Sequence, residues 1–138
     1  MSGYSLSIMT YDRGEQWDNP SKKKPYHWLF FLQTGAVSGV GAVFQLHGMP
    51  GAFRCVGEER VELAVYGKKN GELEIGSVPV EKYNRFKQLL EKVPIDNVES
   101  SEWNCQSWCI AALDLFRVEG FVDGEYSNDV IRNWLRED

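Results

Sequence analysis

The hydrophobic pattern changes period near residue 79, and that change sets what the chain can fold into. Before it, apolar and aromatic residues come in short runs with loose alternation, broken by Gly, Pro and Asn, the mark of strands and turns. After it, Tyr83, Phe86, Leu90 and Val93 recur at helical spacing, with Pro79 in the first turn and Pro94 just past the end. The reading is a first edge strand over 4–11, a loop over 12–25, a strand over 26–32, a hairpin turn over 34–41 and a strand over 42–47. A turn at Gly48–Gly51 and short strands near 52–56, 61–66 and 72–75 follow, with Asn70-Gly71 as a tight-turn signal. Helices are predicted over 79–93, 104–118 and 127–136, with Gly120 closing the second and Ser127 capping the third. Strands first and helices afterwards predict an α+β fold, an antiparallel sheet packed against a helix. The expected organisation is one domain over 1–138: an N-terminal strand and loop (1–25), a sheet (26–76) and the helices.

Charge and composition narrow the function classes. A net charge of −5 disfavours a nucleic-acid partner, which requires a basic face. The run Lys22-Lys23-Lys24, flanked by Pro20 and Pro25, reads as a solvated linker. No basic segment followed by an apolar one opens the sequence, and no run approaches the roughly 20 apolar residues of a membrane span. Neither a signal peptide nor stable membrane insertion is therefore expected. The three cysteines, Cys55, Cys105 and Cys109, are an odd number with no zinc-ligand spacing, which predicts reduced thiols, a cytoplasmic setting and no metal or other cofactor.

The two histidines are linked by strand geometry. A hairpin centred on Val37 opposes Trp28 to Leu46, Phe30 to Phe44 and Leu32 to Ala42, a wholly apolar face. On the other face Phe31 meets Val43, Leu29 meets Gln45, and His27 meets His47. Two opposed imidazoles at a strand end can form a pair in which one takes a proton and the other orients it. A slip of one residue would separate them.

The segment Trp103-Asn104-Cys105-Gln106-Ser107-Trp108 carries the strongest chemical signal. Asn104 is a favoured N-cap, which makes Cys105 the first helical residue. Unpaired N–H groups and the helix dipole there favour a thiolate and can hold an oxyanion, with Asn104 and Gln106 expected to supply cap and oxyanion donors. Cys105, Trp108, Ala112 and Leu115 form a stripe, so Cys105 tops the face that packs on the sheet. The histidine face of the hairpin is the expected partner of that stripe. Cys109 and Cys55 read as structural, and Trp28 and Trp103 as the residues flanking a substrate cleft.

At these residues the chain resembles the circularly permuted papain-like fold, whose families include the lecithin:retinol acyltransferase-like proteins and the PPPDE-type thiol peptidases. In them a strand histidine precedes an Asn-Cys helix start, matched here by His27 in Tyr26-His27-Trp28 and Cys105 in Asn104-Cys105-Gln106. His47 falls where the acyltransferase-like families place a second histidine. The resemblance implies Cys105 as nucleophile, His27 as general base and His47 as its orienting partner. It departs from those families in the Gln-Ser pair after Cys105 and in lacking a hydrophobic anchor.

The function expected is acyl transfer through a Cys105 thioester, on a small-molecule or peptide substrate bearing an amide, isopeptide, ester or thioester, with hydrolysis and transfer both open. The competing reading is an inactive binding or scaffold protein of the same fold. A redox pair of Cys105 and Cys109 ranks last, because residues four apart on a helix are poorly placed for a disulfide. Neither substrate nor oligomeric state is assigned by the sequence.

Overall fold

The structure, a computed structural model, describes residues 3–11, 15–16, 19–23, 27–35, 39–48, 52–55, 57–62, 71–98 and 103–135. The predicted hairpin tip at Val37, the turn residues Met49 to Gly51, the strand residues 63–66, Asn70 and Lys24 lie outside the described residues. The elements are β1 (Gly3–Tyr11), β2 (Glu15–Gln16), β3 (Asn19–Lys23), β4 (His27–Gln33), β5 (Val40–Phe44), β6 (Leu46–His47), β7 (Arg54–Cys55), β8 (Glu59–Glu62) and β9 (Gly71–Pro79). A 3₁₀ turn at Val80–Lys82 leads into α1 (Tyr83–Lys92), followed by α2 (Cys105–Val118) and α3 (Asn128–Trp134). This is the predicted α+β class, an antiparallel sheet with three helices after it.

The main sheet has the order β8-β5-β4-β1-β9. β1 was expected at an edge and instead lies between β4 and β9, with Leu6 to Thr10 all buried. Burial on both faces explains its weak alternation in sequence. The region predicted as a loop contains the short paired strands β2 and β3, too brief to leave a periodic signal. Among the described residues β8 pairs with β5 while β9 pairs with β1.

The β4–β5 register is the predicted one, with Phe30 opposite Phe44, Phe31 opposite Val43 and Leu32 opposite Ala42. It divides the residues between two apolar faces. Leu6, Ile8, Trp28, Phe30, Leu32, Ala42 and Phe44 point into the main core with the helices, whereas Met9, Leu29, Phe31 and Val43 form a second buried cluster. α2 therefore packs on the wholly apolar face and not, as expected, on the one that carries His27. The pairs Phe30–Phe44 and Leu32–Ala42, with Trp28 beside them, offer it more hydrophobic area than a face ending in polar side chains.

Aromatic contacts fasten the helices down. Phe116 of α2 stacks on Phe86 of α1 at 4.6 Å between ring centroids and meets Phe30 of β4 edge-on at 5.1 Å. Phe86 in turn meets Phe44 of β5 edge-on at 5.0 Å. α2 ends in a Schellman arrangement: Phe121 N–H donates to Phe116 O (3.0 Å) and Gly120 N–H to Arg117 O (3.1 Å). Gly120, the predicted cap, has the positive φ of 80° that this ending requires. The chain then lies along β9, where Ser77 N–H donates to Phe121 O and Asp123 N–H to Ile75 O. That approach requires Gly76, since a Cβ there would come within 1.9 Å of Phe121 O.

At the β8 end of the sheet, the Tyr83 hydroxyl donates to Glu58 Oε1 (2.6 Å), beside Lys87 and Arg60. The bond from Tyr83 chiefly, and the two cations, hold the Glu58 carboxyl below its ordinary value. Burial, and then the carboxylate it faces, push the Tyr83 hydroxyl up.

Two predictions follow from this packing. Phe116→Ala should lower stability by about 3–5 kcal/mol and Gly76→Ala by about 1–3 kcal/mol, both read by denaturant unfolding. Because the folded-state value of Glu58 is depressed, the stability it contributes is present above about pH 4.5 and is lost as pH falls through the lower folded value. Tyr83→Phe should shrink that acid-side loss, measured as the difference in melting temperature between pH 6 and pH 3, taken as round values on either side of the ordinary carboxylate range of about 4.

Candidate active site

Asn104 opens α2 in extended backbone, and its Oδ1 accepts from the N–H groups of Gln106 (2.9 Å) and Ser107 (3.4 Å). Ser107 Oγ accepts from Asn104 N–H (3.3 Å), which completes a capping box. Cys105 is consequently the first residue of the helix, as predicted, and its side chain is buried at 2% exposure. The predicted oxyanion role meets a constraint here, because the Gln106 N–H is already engaged by the cap. Neither the Asn104 nor the Gln106 side chain lines the cleft beside Cys105.

That cleft has a volume of about 380 Å³. Cys105 enters it from the helix side. Tyr11, His27 and Leu29 enter from β1 and β4, Gln45 from the end of β5, and Leu46, His47, Gly48 and Phe53 from the β6–β7 ribbon. Although Cys105 packs with the core on one face and His27 belongs by alternation to the other, both reach one opening. The reason lies in where the strands stop. His27 is the first residue of β4, opposite Tyr11, the last of β1. β5 ends at Phe44, and the chain leaves the main sheet to pair Leu46 with Cys55 and His47 with Arg54. Beyond that end the sheet no longer separates its two faces.

The histidines do not form the expected direct pair. His27 Nε2–H donates to Gln45 Oε1 (2.6 Å), Gln45 Nε2–H donates to Glu59 Oε2 (3.2 Å), and His47 Nε2–H donates to Glu59 Oε1. The extended register that would oppose His27 to His47 stops at Phe44, and Gln45 fills the gap with a nearly buried amide. The partner that orients His27 is Gln45, in place of the predicted His47.

Trp28 is core: 4% exposed, it packs on the helix-covered face and takes no part in the cleft lining. Trp103 acts one step back, meeting Phe53 edge-on at 5.6 Å while Phe53 forms the cleft wall. Asn97 clamps that wall from both sides, its Oδ1 accepting from Phe53 N–H (2.7 Å) and its Nδ2 donating to Phe53 O (3.2 Å). Sequence reasoning missed Tyr11, Gln45, Phe53 and Glu59. The only available signal was for Gln45, which the predicted register already set diagonally to His27.

None of the cysteines is in a disulfide. Burial first, and the charge of Cys105 after it, hold the Cys109 thiol well above its ordinary value. Burial also raises Cys55, partly offset by a hydrogen bond from the Gly57 backbone, with the Glu91 carboxylate adding to the rise. Burial thus disfavours the reactive thiolate form at both positions.

A family model, the DUF6540 family of unknown function, matches residues 16–123. The chain belongs to the DUF6540 family. The matched span holds His27, Gln45, His47, Glu59 and Cys105, but not Tyr11 or α3. No curated protein and no solved structure matches the chain. Among the described residues, no helix is long and apolar enough to cross a membrane.

The cap generates a direct expectation. Asn104→Ala should destabilise the protein by about 1 kcal/mol, while Asn104→Ser should lose much less, as measured by urea unfolding. An equal loss in both variants would mean that Asn104 does more than cap.

Proposed function

We propose that this DUF6540 chain is a cysteine-dependent acyl-transfer enzyme of the permuted papain-like type, working in the cytoplasm, with Cys105 as nucleophile and His27 as general base. One observation carries the reading: a cysteine on the positive end of α2 and a histidine whose outer nitrogen is tied to an amide oxygen line the same cleft. Because Gln45 Oε1 can only accept, it fixes the hydrogen on His27 Nε2, and a neutral His27 therefore has a bare Nδ1 able to take a proton.

In this mechanism His27 Nδ1 removes the Cys105 proton, and the helix N-terminus stabilises the resulting thiolate. Sulfur attacks the substrate carbonyl carbon, and the carbonyl electron pair moves to oxygen. When that pair returns, the bond to the leaving amine, alkoxide or thiolate breaks. The leaving group takes the proton from His27. Water or another acceptor, deprotonated by the same imidazole, then attacks the thioester and releases Cys105. Tyr11, Leu29, Leu46 and Phe53 give the cleft an apolar wall suited to an acyl group of modest size.

Labelling with iodoacetamide, small enough to reach a buried thiol, tests the reading. Cys105 should alkylate at least tenfold faster than Cys55 or Cys109 near pH 7, where thiols of ordinary or raised pKa are mostly protonated. His27→Ala should abolish that advantage. Equal, slow labelling of all three cysteines would defeat the enzymatic reading and favour a binding protein of the same fold.

A further inference from the structure

The carboxylate of Glu59 belongs to neither the nucleophile nor the base, yet it touches two of the side chains that surround them. It sits on β8, opposite Val43 of β5, on the face that carries the second apolar cluster. One of its oxygens accepts from Gln45 and the other from His47. Resting on the reading of His27 as base, we propose that Glu59 is a positioning residue that sets which nitrogen of His27 carries the hydrogen, acting through the Gln45 amide.

A side-chain amide has two nearly isosteric ends, and nothing in its own shape decides which end faces which neighbour. An ionised carboxylate is acceptor-only, so the end of Gln45 that faces Glu59 has to be the NH₂. The oxygen is then turned to His27, and His27 answers with Nε2–H. Were the amide reversed, its oxygen would face the Glu59 carboxylate with no hydrogen between them. The NH₂ would then face His27 and demand a bare Nε2, which moves the hydrogen to Nδ1, the nitrogen needed as base. Gln45 is 6% exposed, so water has little access to relieve the reversed arrangement. The second Glu59 oxygen, held by His47, keeps the carboxylate from rotating away. His47 is thus an anchor for the carboxylate, three hydrogen bonds removed from the base it was expected to touch.

The test is the tautomer itself, read on the full chain labelled with [¹⁵N]histidine by two-bond ¹⁵N–¹H correlation at about pH 9, well above the ordinary imidazole value. Resonances are assigned with His47→Gln. Wild-type His27 should show the Nε2–H form alone. Glu59→Gln, whose amide can donate or accept, should populate both tautomers and slow Cys105 alkylation roughly ten- to a hundredfold, the range for loss of an outer hydrogen-bond partner. The exchanged pair Gln45→Glu with Glu59→Gln restores an acceptor at His27 and a donor between the two positions, and should recover the single tautomer. A Glu59→Gln protein that keeps only the Nε2–H form overturns the proposal, as does a wild-type His27 protonated on Nδ1, which needs no variant to be seen. Should Cys105 show no preferential alkylation, the enzymatic reading falls while the spectra still judge the role of Glu59.

Discussion

Phe116 is the fastening on which the arrangement depends. Its ring lies against Phe86 of α1 and Phe30 of β4, so a single side chain sets the position of two helices against the sheet. Cys105 lies eleven residues earlier on the same helix, about 16 Å away at 1.5 Å per residue. With Phe116 as pivot, a tilt of about 10° would carry the Cys105 end some 3 Å sideways, as far as a hydrogen bond is long. The Schellman ending, and the pairing of Phe121 and Asp123 with β9, hold the pivot from behind. The accuracy of the cleft is therefore decided largely at the opposite end of α2.

The cleft itself exists because two strands stop where they do. A sheet keeps its faces apart along its length, and Cys105 and His27 belong to opposite faces. Only where β4 begins and β5 has ended can side chains from both sides share a space. The polar network occupies the same place, and it extends from His27 through Gln45 and Glu59 to His47. The Gln45 amide, at 6% exposure, needs its donor and acceptor matched, and that requirement gives the network its direction.

Much of this was legible in the sequence because it is local. The Asn104 cap and the Gly120 terminus are signals within a few residues, and α2 formed where they indicated, whereas Pro79, expected in the first helical turn, ends β9 and α1 begins only at Tyr83. The β4–β5 register was also readable, since only one alignment sets Phe30 against Phe44 and keeps a face wholly apolar. What escaped were long-range choices. Alternation shows that a strand has two faces but not which face a helix will cover, and here both were apolar enough to be buried. The interior place of β1 depends on β9, more than sixty residues later. Glu59 reaches the histidines only because β8 pairs with β5, which no local pattern announces. Gln45 stands opposite Leu29 in the predicted register, but an uncharged amide gives no chemical signal until its neighbours are known.

The β6–β7 ribbon has a further consequence. It is two residues on each side, separate from the main sheet, and it is anchored by Leu46 and Phe53 in the main core, by the Asn97 clamp on Phe53 and by the edge contact with Trp103. So short a ladder gains little from its own pairing, and its place depends on those side-chain contacts. The wall of the cleft is thus positioned by the connection between α1 and α2, through Asn97 and Trp103, and not by the five-stranded sheet.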